Sequence, residues 1–241
     1  MARVALVTGG TRGIGYAISQ RLAADGYKVA ANYAGNDAAA QRAAHELGVS
    51  VYKWDVSDFN ACAVGIGSVV ADLGPVDVLV NNAGITRDVF LHKMSLDQWQ
   101  AVVRVNLDSV FNMSRMVIEG MRARSYGRII NIASVNGQKG QIAQTNYSGA
   151  KAGIIGFTKA LALESSAKGI TVNVIAPGYV DTEMVQAVPA DVLKKIVAQI
   201  PVGRLGQAQE IAAAVAYVAH ENAGFMTGAT LSINGAQYIP T

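Results

Sequence analysis

Tyr147 and Lys151 stand four residues apart in a run that reads as a helix through Leu163, and Ser134 lies upstream of them at the end of an apolar segment. Residues at i and i+4 share a helix face, so the phenol and the ammonium can face one pocket. A free phenol has a pKa of about 10 and is a poor acid or base near neutrality. A nearby cation favours the phenolate, and bringing the phenol near neutrality takes roughly 3–4 kcal/mol. Lys151 is therefore expected to lower the pKa of Tyr147, with the Ser134 hydroxyl donating to a substrate carbonyl or alkoxide. The pair alone also fits a solvated helix face, because i,i+4 pairs are common there. The elements that position it decide between the two readings.

Seven short apolar runs alternate with helical patterns: Val4–Val7, Lys28–Tyr33, Val49–Trp54, Val76–Val80, Arg128–Ala133, Thr171–Ala176 and Ala229–Asn234. Such alternation predicts an α/β chain with a Rossmann-type, doubly wound parallel sheet of about seven strands and helices on both faces. Residues 1–241 are expected to form a single domain, with a mobile substrate lid around 180–203 bounded by Pro189, Pro201 and Gly203. A long helix is expected from Ser95 toward Met121, with Asn106 in its interior, where a polar side chain is unfavourable unless exposed or bonded. A Gly-rich loop is expected after Ser134.

The first run ends in Gly9-Gly10-Thr11-Arg12-Gly13-Ile14-Gly15 and then a helical pattern. Strand, glycine loop and helix form the context that makes a phosphate cradle credible, since glycines permit close backbone approach and a helix N-terminus attracts anions. The spacing departs from G-x-G-x-x-G, and a lone glycine loop also fits a plain tight turn. Asn32 and Tyr33 end the second run, where a carboxylate would bind the ribose 2′-hydroxyl of NAD. The missing carboxylate and the guanidinium of Arg12 point to NADP(H), although Arg12 equally fits a solvated loop charge. Trp54, Asp55 and Val56 end the third run, where an adenine can rest; Asp55 also fits a helix cap. The glycine loop, Asn81-Asn82-Ala83-Gly84, Ser134 and Pro177-Gly178 all follow strands, so they gather outside the carboxyl ends of the sheet, where ligands bind in such folds. That convergence favours chemistry for the Tyr147/Lys151 pair.

Composition narrows the partners. Hydrophobic residues make up 51% of 241, enough for a large core. The net charge of +3 is dispersed, without the Lys/Arg stripe of a nucleic-acid binder. Cys62 is the sole cysteine, so no intrachain disulfide can form and a reducing compartment fits. His45, His92 and His220 are scattered, and no metal site is expected. No apolar run approaches the ~20 residues of a membrane span and no signal-peptide pattern opens the chain, so neither a membrane nor export is expected.

Taken together, Thr8-Gly9-x3-Gly13-Ile14-Gly15, Asn81-Asn82-Ala83-Gly84, Asn106, Ser134, Tyr147, Lys151 and Pro177-Gly178 resemble the short-chain dehydrogenase/reductase family across the whole chain. The resemblance implies a catalytic tetrad of Asn106, Ser134, Tyr147 and Lys151. Tyr147 would be the proton donor, Lys151 would lower its pKa and hold the nicotinamide ribose, Ser134 would polarise the carbonyl, and Asn106 would anchor a water. The cofactor would be NADPH, held by Gly9, Thr11, Arg12, Gly13, Ile14, Gly15, Asn32, Tyr33, Trp54, Asp55, Val56, Asn82, Ala83, Gly84, Ile85, Thr86, Tyr147, Lys151, Pro177, Gly178, Tyr179 and Val180. Asn136 to Gln141 and Gln144 to Tyr147 are similar to the branch of the family that reduces acetoacetyl-CoA for polyhydroxybutyrate synthesis. That likeness implies a cytoplasmic homotetramer giving the R product, with substrate lined by Asp88, Ser134, Gln141, Ile142, Gln144, Tyr147, Gly178 and Tyr179. The neighbouring branch reduces 3-oxoacyl groups on acyl carrier protein. A non-catalytic NADP(H) sensor would be expected to lack Tyr147 or Lys151, and both are present.

Overall fold

The computed structural model describes residues 2–186 and 188–239. Met1, Ala187, Pro240 and Thr241, which fall within the expected domain, and Ala187 within the expected lid, lie outside the described residues. Seven parallel strands form one sheet in the order β3-β2-β1-β4-β5-β6-β7. They are β1 (Val4–Val7), β2 (Lys28–Tyr33), β3 (Ser50–Lys53), β4 (Val76–Asn81), β5 (Gly127–Ile132), β6 (Ile170–Pro177) and β7 (Thr230–Ile233). The order reverses between β1 and β4, which opens a crevice at the carboxyl ends of those two strands. This is a Rossmann-type α/β fold.

Strand alternation builds a core on each face. Ala5 and Val7 of β1 pack with α1 (Gly13–Ala24) and α10 (Ala208–Ala219) through Ile18, Leu22, Ile211 and Val215. Val4 and Leu6 face the other way, onto α3 (Phe59–Leu73) and α5 (Ser109–Arg124) through Ile66, Val69, Met113 and Met121. Both faces are covered, which is why the central strands read as continuous apolar runs. Asn36 caps α2 (Asp37–Leu47) by accepting from Ala39 N at 2.9 Å. Asp58, and not Asp55, caps α3, accepting from Ala61 N at 2.9 Å.

Three local expectations are corrected. The long helix from Ser95 is divided into α4 (Leu96–Val103), a wide π turn over Arg104–Asp108, and α5. The cause is Asn106, whose Nδ2 donates to Val102 O at 2.8 Å and Ile85 O at 2.9 Å, so a side chain takes the place of a backbone donor. The Gly-rich stretch after Ser134 coils into α6 (Val135–Lys139), because Ser134 Oγ accepts the N–H of Asn136 at 3.1 Å and caps it. Finally, the helix expected to run through Leu163 is α7, Thr145–Ser165, two residues longer at that end. Beyond β6 come α8 (Glu183–Gln186) and α9 (Ala190–Ala198). Among the described residues no helix is long and apolar enough to cross a membrane.

Candidate active site

The first wall of the crevice is made of backbone. Gly9 bends back on itself with φ +61°, and α1 starts at Gly13 with no side-chain cap on its first turn. Its opening N–H groups therefore remain for an anion. A Cβ on Gly15 would run into Gly9 O, so the loop can close only with glycine there. Thr8 fastens this loop to the next strand: its Oγ1 accepts from Asn82 N at 2.9 Å and Ala83 N at 3.0 Å. Asn82 returns the link, donating through Nδ2 to Thr8 O at 3.0 Å and Gly9 O at 3.3 Å. An uncapped helix start behind a closed glycine turn fits the pyrophosphate of a dinucleotide. Thr8 is the residue that motif reading undervalues; a polar residue ending an apolar strand is its signal.

Several residues expected at the cofactor are engaged with the protein itself. Asn32 is buried and its Nδ2 donates to Trp54 O at 3.0 Å, which joins the ends of β2 and β3. Tyr33 donates to Asp37 Oδ1 at 3.0 Å, and Lys53 pairs with the same carboxylate at 2.9 Å. Asp55 Oδ1 accepts from Ser57 N and Ser57 Oγ, each at 2.8 Å, forming the turn after β3. Val56 is buried and its carbonyl accepts from Asn112 Nδ2 at 3.0 Å. Thr11 is buried, whereas Arg12 is exposed at the mouth of the loop. Gly178 N donates to Ile233 O at 2.9 Å, and Val180 bridges to Gly206, which fixes the far rim after Pro177. Ile85 and Thr86 lie in the loop after β4.

The second wall is made of buried side chains. Lys151 is only 3% exposed, and its Nζ donates to Ile132 O at 2.7 Å. Its ammonium lies 5.7 Å from the centre of the Tyr147 ring. Gly84 sits between Lys151 and Asn106: a Cβ there would come within 2.6 Å of Asn106 Oδ1 and 3.6 Å of Lys151 Nζ. Asn106 Oδ1 is buried without a protein partner in the structure. Burial pushes the Tyr147 phenol up to about 12, against the pull of the Ser134 hydroxyl. The Asp88 carboxylate pushes it the same way. Burial lowers the Lys151 ammonium to about 8. The Tyr147 phenol is thus raised here where a lowering was expected, because burial dominates and the Lys151 ammonium donates to Ile132 O, not to the phenol.

The substrate-side residues divide. Gln144 is 9% exposed; its Oε1 accepts from Asn136 Nδ2 at 3.0 Å and its Nε2 donates to Asp88 Oδ2 at 2.8 Å. Gln141 accepts from Lys139 at 3.4 Å, and Ile142 stands 76% exposed at the rim. Asn146, also buried, donates to Arg87 O at 3.1 Å and ties the start of α7 to the loop after β4. Beneath, Asn81 donates to Asn131 at 2.8 Å and Asn131 to Thr158 at 2.8 Å, a polar line binding β4, β5 and α7. Asn131, Asn136, Asn146 and Thr158 carry no chemistry on their own, and buried pairing is what gives them weight.

This arrangement offers one oxygen position to two hydroxyls beside a buried ammonium, next to an anion cradle. A family model described as short chain dehydrogenase matches residues 3–193. The chain is 63% identical over 239 residues, 99% of both chains, to an acetoacetyl-CoA reductase of Shinella zoogloeoides. It is 58% identical over 240 residues, again 99% of both, to an acetoacetyl-CoA reductase of Paracoccus denitrificans. It is 46% identical over 239 residues, 98% of both, to a 3-oxoacyl-acyl-carrier-protein reductase of Salmonella typhimurium.

Proposed function

This chain belongs to the short-chain dehydrogenase family, and from that premise we propose that it reduces the 3-keto group of acetoacetyl-CoA to (R)-3-hydroxybutyryl-CoA with NADPH, for polyhydroxybutyrate synthesis. It is an oxidoreductase acting on a CH–OH group. The observation that carries the reading is the meeting of Ser134, Tyr147 and Lys151 beside the glycine cradle, in a chain whose relatives at 58% and 63% identity bear the acetoacetyl-CoA reductase name. Bound NADPH supplies the hydride. Ser134 Oγ accepts the Asn136 N–H, which leaves its O–H as the donor, directed at the Tyr147 oxygen and so at the position the keto oxygen would take. Tyr147, pushed up to about 12, keeps its proton at neutral pH. An alkoxide is a stronger base than such a phenolate, so transfer from Tyr147 runs downhill. The Lys151 ammonium then stands beside the phenolate left behind. Asp88, Gln141, Ile142, Gly178 and Tyr179 would line the thioester side, and Arg12 would hold the 2′-phosphate through a charge-assisted contact.

We read residues 180–203 as the lid of the one domain formed by residues 1–241. Its base is anchored by the Val180–Gly206 bridge and by Arg204, which holds Glu210 with two contacts of 2.8 Å. Phe59 and Phe111 stack 6.1 Å apart at the surface, and Leu163 on α7 is exposed, which supports a homotetramer joined through α5 and α7. A cytoplasmic location accords with NADPH use and with the lone buried Cys62. The test is NADPH oxidation by the wild type with acetoacetyl-CoA and with the acetoacetyl carrier-protein thioester. Higher kcat/KM for the CoA ester is expected. A tenfold preference for the carrier-protein ester would move the enzyme to the fatty-acid branch.

A further inference from the structure

Asp88, Gln144, Asn136 and Ser134 form a continuous hydrogen-bonded line across the substrate side of the site. Asn136 is 6% exposed and Gln144 9%, so water competes for neither amide. The Asn136 backbone N–H donates to Ser134 Oγ at 3.1 Å, and its side chain donates to Gln144 Oε1 at 3.0 Å. Gln144 Nε2 completes the line to Asp88 Oδ2 at 2.8 Å. The backbone beside it is joined the same way: Val89 N donates to Ala143 O at 2.8 Å. Ala143 adopts φ +63°, a conformation costly for a residue with a Cβ and kept only where neighbours impose it. Gln144 then stands at the N-terminus of α7, with Ser148 N bonded to its carbonyl at 2.7 Å, and Tyr147 follows within the first turn.

Both ends of the Gln144 amide are therefore engaged by the protein. Its direction is also fixed, because the NH2 must face a carboxylate and the oxygen must face a donor. We propose that Gln144 and Asn136 are positioning residues, a relay from Asp88 that sets the separation of the Ser134 and Tyr147 hydroxyls, and that Gln144 does not itself contact substrate. The inference rests on the reductase reading of that site. It replaces the expectation that Gln144 lines the acyl pocket. Two hydroxyls must meet one keto oxygen, and small misplacements of catalytic groups are costly in rate. A rigid polar line between the loop carrying one hydroxyl and the helix carrying the other meets that need.

The polarity of the line gives the test. Gln144→Glu places a carboxylate oxygen against Asp88 and should lower kcat at least about tenfold, with KM for acetoacetyl-CoA and Kd for NADPH (followed by fluorescence) within about threefold of wild type. Adding Asp88→Asn supplies an amide that donates to the carboxylate introduced at position 144 and reverses the bond. The double variant should then return to within about threefold of Asp88→Asn alone. Losses that simply multiply in the double variant would overturn the relay, as would a Gln144→Glu enzyme with wild-type kcat or one impaired only in KM. Thermal unfolding of the same four proteins reads the coupling with no substrate present. If wild-type enzyme ignores acetoacetyl-CoA, the substrate reading falls while the relay is still judged there; coupling in Tm combined with multiplying kcat losses with any accepted substrate would make the line structural only and overturn the proposal.

Discussion

The two walls of the crevice are built on opposite plans. The wall from β1 to α1 works by omission: Gly9 and Gly15 remove side chains so that backbone N–H groups face outward, and Thr8 and Asn82 hold the turn. The wall from β5 to α7 works by insertion, with Lys151, Asn131, Asn136 and Gln144 all buried and paired. The first plan tolerates no added atom but contains no charge to desolvate. The second tolerates shape-preserving change but is sensitive to any loss of a proton or a partner. A cofactor cradle needs only a shape and a field, whereas proton transfer needs a group held in one protonation state, and burial supplies that.

The sharpest way to break the first wall is to add a methyl group. Gly15→Ala drives a Cβ into Gly9 O, and only backbone can yield. Loss of about 3 kcal/mol of stability, the upper range for overpacking, is expected together with loss of measurable NADPH binding. Differential scanning calorimetry and fluorescence titration check both. A folded variant with native NADPH affinity would mean that the loop is not a cradle.

The second wall gives the opposite stability result. The Lys151 ammonium, ordinarily near 10.5, is lowered by burial to about 8. Between those two values the unfolded chain binds the proton and the native chain does not, so wild-type stability rises with pH across that window. Below about 8 the buried charge carries its full cost. Lys151→Met removes that cost and should be inactive yet up to about 3 kcal/mol more stable at pH 7, less whatever the lost bond to Ile132 O contributed. In urea melts from pH 7 to 10 the stability advantage of the variant over the wild type should shrink as pH rises, the difference isolating Lys151 from groups such as Cys62 that titrate in both proteins. A destabilised Lys151→Met at pH 7 would show that the carbonyl bond outweighs desolvation.

The strands were readable because buried parallel strands are uninterrupted apolar runs, and β1 and β2 begin and end where the residues change character. The glycine loop was readable because a missing side chain is visible in sequence. What sequence could not give was direction. Asn106 reads as an awkward polar residue in a helix, and only its bonds to Val102 and Ile85 reveal the π turn that brings it to Gly84. Lys151 reads as the partner of Tyr147, but its strongest bond runs to Ile132 O, because the nearest acceptor in three dimensions is not the neighbour in sequence. The relay through Asn136 and Gln144 joins segments whose polar residues look like ordinary loop residues until burial is known.

Arg12 gives the smallest of these effects, since it is exposed and lies at the mouth of the first wall. Arg12→Ala should raise KM for NADPH by about three- to tenfold, the scale of a solvent-screened charged hydrogen bond, and leave KM for NADH nearly unchanged. Paired steady-state assays with the two cofactors measure it. Equal effects on both would detach Arg12 from the 2′-phosphate.

The central claim is that the insertion wall hands over a proton from Tyr147, and the most direct measurement is the turnover of Tyr147→Phe. The ring is kept, so the apolar packing beside Lys151 changes little and NADPH affinity should stay within about threefold of wild type. The proton donor is gone, so kcat for acetoacetyl-CoA reduction should fall about 10²–10⁴-fold. A variant that binds NADPH normally and keeps more than about a tenth of wild-type kcat would remove Tyr147 from the role of acid.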